Sequence, residues 1–236
     1  MPSAGYAHPH IGAVSGVYCE RAGEPGLWVE PLNLVTNLAF LLGAAAALRV
    51  FLRQSNIDPR RDLDLLALIL VFFAIGIGSS LWHSFASRWA ELLDVIPILI
   101  FIHGFLLLHL LRVLRLSAVA VVVALLVYEA VNLVVAWNVP PELFNGALYY
   151  APTWAFLLLL GLDLRRRGDT LARAYLAGWL LLTGSLFFRA LDQYVCEALP
   201  IGTHFLWHLL NGLLLYLLLS ALVRQRSNTR AHSSCL

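Results

Sequence analysis

Apolar residues recur in blocks of about 20 along nearly the whole chain, each closed by a short polar break rich in Arg, Asp, Pro or Gly. Lipid offers no partner to backbone N–H and C=O groups, so a block of that length must close its hydrogen bonds internally as a helix. The pattern predicts seven helical spans, at about 32–53, 64–84, 88–111, 116–136, 143–162, 171–190 and 201–223. It divides the 236 residues into an outer N-terminal segment (1–31), a seven-helix transmembrane domain (32–223) and a cytoplasmic tail (224–236).

Composition removes the main alternative. Hydrophobic residues make up 60% and charged residues 13% of the chain, against about 25% charged in a soluble domain, so the expected class is all-α, a polytopic seven-transmembrane helix bundle. All sixteen basic residues are arginine. They form no basic nucleic-acid surface, but they orient the bundle, because positive residues are retained on the cytoplasmic side. Thirteen, among them Arg49, Arg60, Arg112, Arg165 and Arg224, fall on one side, and only Arg21, Arg88 and Arg189 on the other. The N-terminus is expected outside or in a lumen and the C-terminus in the cytoplasm. Trp28, Trp82, Trp89 and Trp137 then fall at the outer interface, where indole rings favour the headgroup level, and Tyr149, Tyr150 and Trp154 extend that belt. Arginine without lysine among Ala- and Leu-rich spans favours a bacterial inner membrane, with an ER or Golgi membrane the alternative in a eukaryote.

An ionisable side chain inside a span costs about 2.5–3.5 kcal/mol on insertion scales, so each is a candidate for function. Ser79 and His83 are four residues apart near the outer end of span two, and so share a helical face. His204 and His208 repeat that spacing at the outer start of span seven, and Asp94 lies about two turns into span three. Three helices therefore bring polar groups to one depth. Three imidazoles with one open position are the ligand set of a catalytic zinc site. Taken alone, H-x-x-x-H in an apolar helix is a weak signal that core histidines or a haem pair explain better than zinc; the matched depth of His83, Asp94 and Ser79 turns the balance to zinc. Asp94 can take a proton from an attacking water and return it to a leaving group, and Ser79 can hydrogen-bond the water or an oxyanion. His103 and His109 read as packing residues. Glu129 and Asn132 can line a cavity or pair with a neighbour, and Asn33, Thr36 and Asn37 read as bonds between helices. Cys19 and Cys196 fall on the same, outer side, where a disulfide is permitted; Cys235 reads as a free thiol.

The runs G-I-G-S-S-L-W-H (76–83), L-L-D (92–94) and H-F-L-W-H (204–208) together resemble the alkaline ceramidases, as do C-E (19–20), E-P-L-N-L-V-T-N (30–37) and D-Q-Y-V-C-E (192–197). That family is part of a wider group of seven-span metal hydrolases that includes the adiponectin and progestin receptors. The resemblance implies zinc held by His83, His204 and His208, with Asp94 and Ser79 at the reacting water. It implies hydrolysis of ceramide, a membrane lipid, to a fatty acid and a sphingoid base, and a disulfide between Cys19 and Cys196. The family's acidic calcium-binding loop is matched in part only. Val17 and Ala22 stand where an Asp and an Asn would be, leaving Glu20 and Glu30, too few side-chain donors for an ion that takes six to eight oxygens; the calcium site is doubtful. The expected function is an intramembrane zinc amidase acting on ceramide or another N-acyl lipid, such as an ornithine-type lipid. The alternatives are a receptor-like or structural zinc protein and a bis-histidine haem carrier.

Overall fold

The computed structural model describes residues 18–21 and 26–233; the terminal tails, with Val17 and Cys235, and the loop containing Ala22 lie outside them. The described chain is helical. Helix α1 (Pro31–Thr36) starts on a proline whose fixed φ suits a first helical turn, and it leads at once into α2 (Leu38–Arg53). There follow α3 (Leu63–Phe85), α4 (Arg88–Leu108), which a π-helical turn extends through His109–Val113, and α5 (Ala118–Asn138). A tight turn over Leu143–Tyr150 precedes α6 (Ala151–Arg166), and α7 (Ala172–Leu191) and α8 (His204–Ser233) complete the chain. Seven of the resulting segments are long and apolar enough to cross a membrane, and the protein is an integral, multi-pass membrane protein.

Span ends differ from the hydropathy reading by a few residues. The largest difference is α8, which continues to Ser233, because Arg224, Gln225 and Arg226 end an apolar run without breaking a helix.

α8 is the most buried span and α5 the least. The core is the seam where α8 meets α2, α3 and α7, filled by Phe40, Phe51, Phe72, Leu164, Tyr175 and Leu219. Leucines and valines on the outer faces, among them Leu42, Val119 and Leu126, are exposed, as a lipid-facing surface requires.

Two features fix the spans that carry the candidate site. α3 and α4 touch backbone to backbone: a Cβ on Gly78 would stand 1.9 Å from the Leu93 carbonyl oxygen and 3.1 Å from the Asp94 nitrogen, so only glycine allows this approach. At the opposite end of α3, Asp62 is fully buried and accepts from Arg112 (3.2 Å) and Arg226 (3.0 Å), while Arg112 also holds Asp64. That network ties the arginine-rich ends of α3, α4 and α8 together.

Candidate metal site

His83 is presented by the last turn of α3, and His204 and His208 by the first turns of α8. All three are buried, and one ring nitrogen from each lies within 4.8 Å of the others. His83 Nε2 and His208 Nε2 face each other at 3.1 Å.

The far nitrogens decide what those two atoms carry. His83 Nδ1 donates to Glu30 Oε2 at 2.5 Å. The Thr36 hydroxyl gives its own proton to the Leu32 carbonyl (2.7 Å) and so accepts from His208 Nδ1 (3.0 Å). An imidazole that carries its single N–H at Nδ1 presents the Nε2 lone pair, and with both rings in that form the two Nε2 atoms offer a cation two donors. His204 Nδ1 is buried with no hydrogen-bond partner. Zinc–nitrogen bonds of about 2.0–2.1 Å put tetrahedral nitrogens about 3.3 Å apart. The donor set, its spacing and its carboxylate–imidazole support therefore fit a zinc ion.

Glu30 is the centre of the supporting layer. It is buried, pairs with the Arg21 guanidinium through Oε1, and accepts from Asn33 Nδ2 at 3.1 Å. Burial pushes its carboxyl up, but the His83 contact and the Arg21 charge outweigh burial and hold it below the usual carboxylate range. Arg21 also donates to the His83 carbonyl at 2.9 Å. Glu20 uses both oxygens on backbone N–H groups, of Leu32 (2.7 Å) and Asn33 (2.8 Å). Desolvation raises it, against the pull of those bonds. The two acids left from the calcium loop are thus engaged by the chain's own donors, with a guanidinium at Glu30.

A disulfide joins Cys19 to Cys196, with Cα atoms 5.1 Å apart. Beside it, Asp192 accepts from Cys19 N (3.1 Å), Thr203 N (2.6 Å) and His204 N (2.9 Å). This anchorage sets Tyr18 face to face with His204, ring centroids 3.8 Å apart. Burial pushes the Tyr18 hydroxyl up to about 12, so it stays a hydrogen-bond donor.

Asp94 lies on α4 with Ser79 beside it. Its Oδ1 is buried with no hydrogen-bond partner, and it lines a cavity of about 600 Å³ together with Tyr18, Glu129, Tyr149, Tyr150 and Arg189. A narrow apolar slot of about 100 Å³, walled by Phe40, Ile75, Phe101 and Leu214, shares Ile98, Ile102 and Tyr150 with that cavity and continues it into the bundle. Tyr18 touches both the histidines and the cavity, and so stands between them.

Tyr149 and Tyr150 are cavity walls rather than interfacial belt, and Trp82 is 6% exposed and packs on Tyr18 and Ala90, whereas Trp137, at 88%, faces outward. Hydropathy fixes how long a span is, not how it is rotated. His103 pairs with Glu129 across α4 and α5, and His109 meets the Tyr175 hydroxyl at 2.8 Å. Sequence reasoning passed over Arg21, Asp192 and Arg189. A charge next to or within an apolar run was the available signal.

A family model described as Ceramidase matches residues 26–234, nearly the whole chain. No curated protein matches the chain.

Proposed function

Since the chain belongs to the ceramidase family and is thereby an amide hydrolase of membrane lipids, we propose that it is a zinc-dependent intramembrane amidase. Its substrate is ceramide or a related N-acyl lipid, cleaved to a fatty acid and an amine. The observation that carries the zinc assignment is the buried trio His83, His204 and His208, with the Nε2 atoms of His83 and His208 3.1 Å apart and their Nδ1 atoms engaged by Glu30 and Thr36.

In this reading His83, His204 and His208 hold zinc. When bound there, the ion would polarise the amide carbonyl and bring the pKa of a coordinated water to about 7. Asp94 receives a proton from the attacking water on its unpartnered Oδ1 and delivers it to the amide nitrogen as the C–N bond breaks. Ser79 and the protonated Tyr18 hydroxyl donate to the oxygen on which negative charge develops. The apolar slot receives the acyl chain and leaves the carbonyl in the polar cavity. The N-terminal segment faces an oxidising outside or lumenal space, a reading that the arginine asymmetry and the disulfide both support, and a bacterial inner membrane is the favoured host. Residues 1–31 are the outer segment, 32–223 the catalytic bundle and 224–236 the tail. Calcium takes no part, because Arg21 supplies the positive charge beside Glu30.

The test is fatty-acid release from a panel of ceramides and other N-acyl lipids, with metal content measured in parallel. Wild type should turn over at least one lipid, and Asp94→Asn should lose turnover while retaining zinc. Zinc in both with turnover in neither would overturn the amidase reading and leave the ion a brace for the helices.

A further inference from the structure

Arg189 has no role in the chemistry above, yet among the described residues it is the one arginine lining the cavity that holds Asp94. Its Nε donates to the Asn145 carbonyl at 2.8 Å, and the guanidinium lies over the rings of Trp207 (5.0 Å) and Tyr150 (5.9 Å). The turn that brings that carbonyl into place is strained. Phe144 and Asn145 have φ of 51° and 52°, ahead of Gly146 at 70°, and left-handed non-glycine residues cost about 1–3 kcal/mol each. The fold thus spends conformational energy on holding this side chain still.

What it holds is an unneutralised charge. Among the described residues Arg189 makes no ion pair. The Tyr18 hydroxyl is its other polar neighbour, and Asp94 acts on it electrostatically without pairing with it. A guanidinium has five N–H donors, and Nε–H is the one committed to Asn145; its terminal fork matches a carboxylate bidentately. The two other carboxylates of the cavity are taken, Glu129 by His103 and Glu91 by Arg88. An unpaired cation and an unpaired carboxylate therefore share one cavity. That pair matches a molecule whose anion meets the guanidinium and whose nitrogen becomes an ammonium beside Asp94 on release.

We propose that Arg189 binds a carboxylate on the amine half of the substrate, so that the preferred substrate class is an N-acyl α-amino acid lipid rather than ceramide. The inference rests on the amidase reading and narrows it. In the hydrolysis, the oxygen of water bonds to the acyl carbon, the C–N bond breaks, and both water protons finish on the departing nitrogen. The products at neutral pH are a fatty carboxylate and an amino acid, whose ammonium forms beside Asp94 while its own carboxylate rests on Arg189. The amine half of ceramide bears hydroxyls and no anion, and would leave the guanidinium unmatched.

The experiment compares N-palmitoylglycine, its methyl ester and N-palmitoylsphingosine on the zinc-loaded protein in detergent. The acid and its ester differ in charge and hardly in shape. A charge-assisted pair predicts kcat/KM for the acid about tenfold or more above the ester. Arg189→Gln should raise KM for the acid by about that factor and leave the ester unchanged, with Arg189→Lys between. Equal turnover of acid and ester by wild type overturns the proposal, and so stands even where the variants fail to fold. If ceramide is cleaved in that case, the amidase reading survives alone. If no lipid is cleaved, the amidase reading falls, and equilibrium binding decides: tighter binding of the acid sustains the anion site, equal binding overturns it. A fatty-acid product site is recognised by palmitate inhibition that Arg189→Gln relieves with the acid-to-ester ratio at one, and that result also overturns the proposal.

Discussion

Glu30 Oε2 and His83 Nδ1 are 2.5 Å apart although 53 residues separate them in sequence, and the same carboxylate is paired on its other oxygen with Arg21. The N-terminal segment therefore sets the orientation and tautomer of a histidine on α3. Glu30→Gln, which keeps the shape and removes the charge, should weaken zinc affinity about 10–100-fold, as loss of outer-shell partners typically does. Arg21→Met should also weaken zinc binding, and should destabilise by about 3–5 kcal/mol, because it strands a buried carboxylate. Competition with a chromophoric chelator measures the first effect and denaturant melts the second; unchanged affinity in Glu30→Gln would remove Glu30 from the site.

Calcium should have no effect on this protein. A ligand that binds the folded state raises stability by RT ln(1 + [L]/Kd), and here Glu20 and Glu30 already have their oxygens on Leu32, Asn33, His83 and Arg21. Adding millimolar calcium to chelator-treated protein should leave the melting temperature within about 1 °C. A rise of several degrees would show a calcium site elsewhere in the protein.

Gly78→Ala should separate activity from metal content. The new Cβ would meet the Leu93 carbonyl oxygen at 1.9 Å, so α3 and α4 must move apart, at a cost of about 1–3 kcal/mol. Asp94 and Ser79 sit on opposite sides of that contact, whereas His83 is a turn further on. Turnover should fall at least about tenfold, because reacting groups misplaced by about 1 Å lose rate steeply, while zinc is retained. Normal activity in this variant would disconnect Ser79 from Asp94.

The alkaline behaviour of Tyr18 has a definite sign. Its hydroxyl is raised from the ordinary tyrosine value to about 12 by burial, so the contribution of the neutral form to stability is complete below about pH 10 and is lost as pH rises towards 12. Tyr18→Phe should accordingly lower kcat by the same factor at every pH from about 7 to 10, where the hydroxyl remains a donor throughout. A loss that appears only on the alkaline side would mean that Tyr18 ionises during turnover.

How far the sequence exposes this design depends on which physical constraint is at work. The seven spans are legible because a bilayer imposes one length on every helix, and the histidines, Asp94 and Ser79 stand out because polar groups are costly there. The i, i+4 spacing of His204 and His208 puts them on one face before any fold is known. Arg21 meets Glu30 through a non-helical segment, where no periodicity foretells a neighbour. Arg189 reads as an outer-side charge until the turn at Phe144–Gly146 delivers the Asn145 carbonyl to it.

Asp192 offers the last test, of whether the disulfide matters by tethering the chain or by aiming His204. Reduction, or Cys19→Ser with Cys196→Ser, should cost about 2–5 kcal/mol through the freed chain. Asp192 acts differently: its carboxylate gathers the N–H groups of Cys19, Thr203 and His204, and Gly202, at φ 62°, leaves room for it where a Cβ would stand 2.1 Å from Oδ1. Asp192→Asn puts an NH2 group against donors and loses hydrogen bonds to a charged acceptor, worth about 1.5–3 kcal/mol each. If the carboxylate aims His204, Asp192→Asn should weaken zinc binding with the disulfide intact, and the double serine variant should weaken it less than it lowers the melting temperature. The opposite order, zinc affinity lost with the disulfide and kept in Asp192→Asn, would assign the aiming of His204 to the covalent tether and to Tyr18 stacked on its ring.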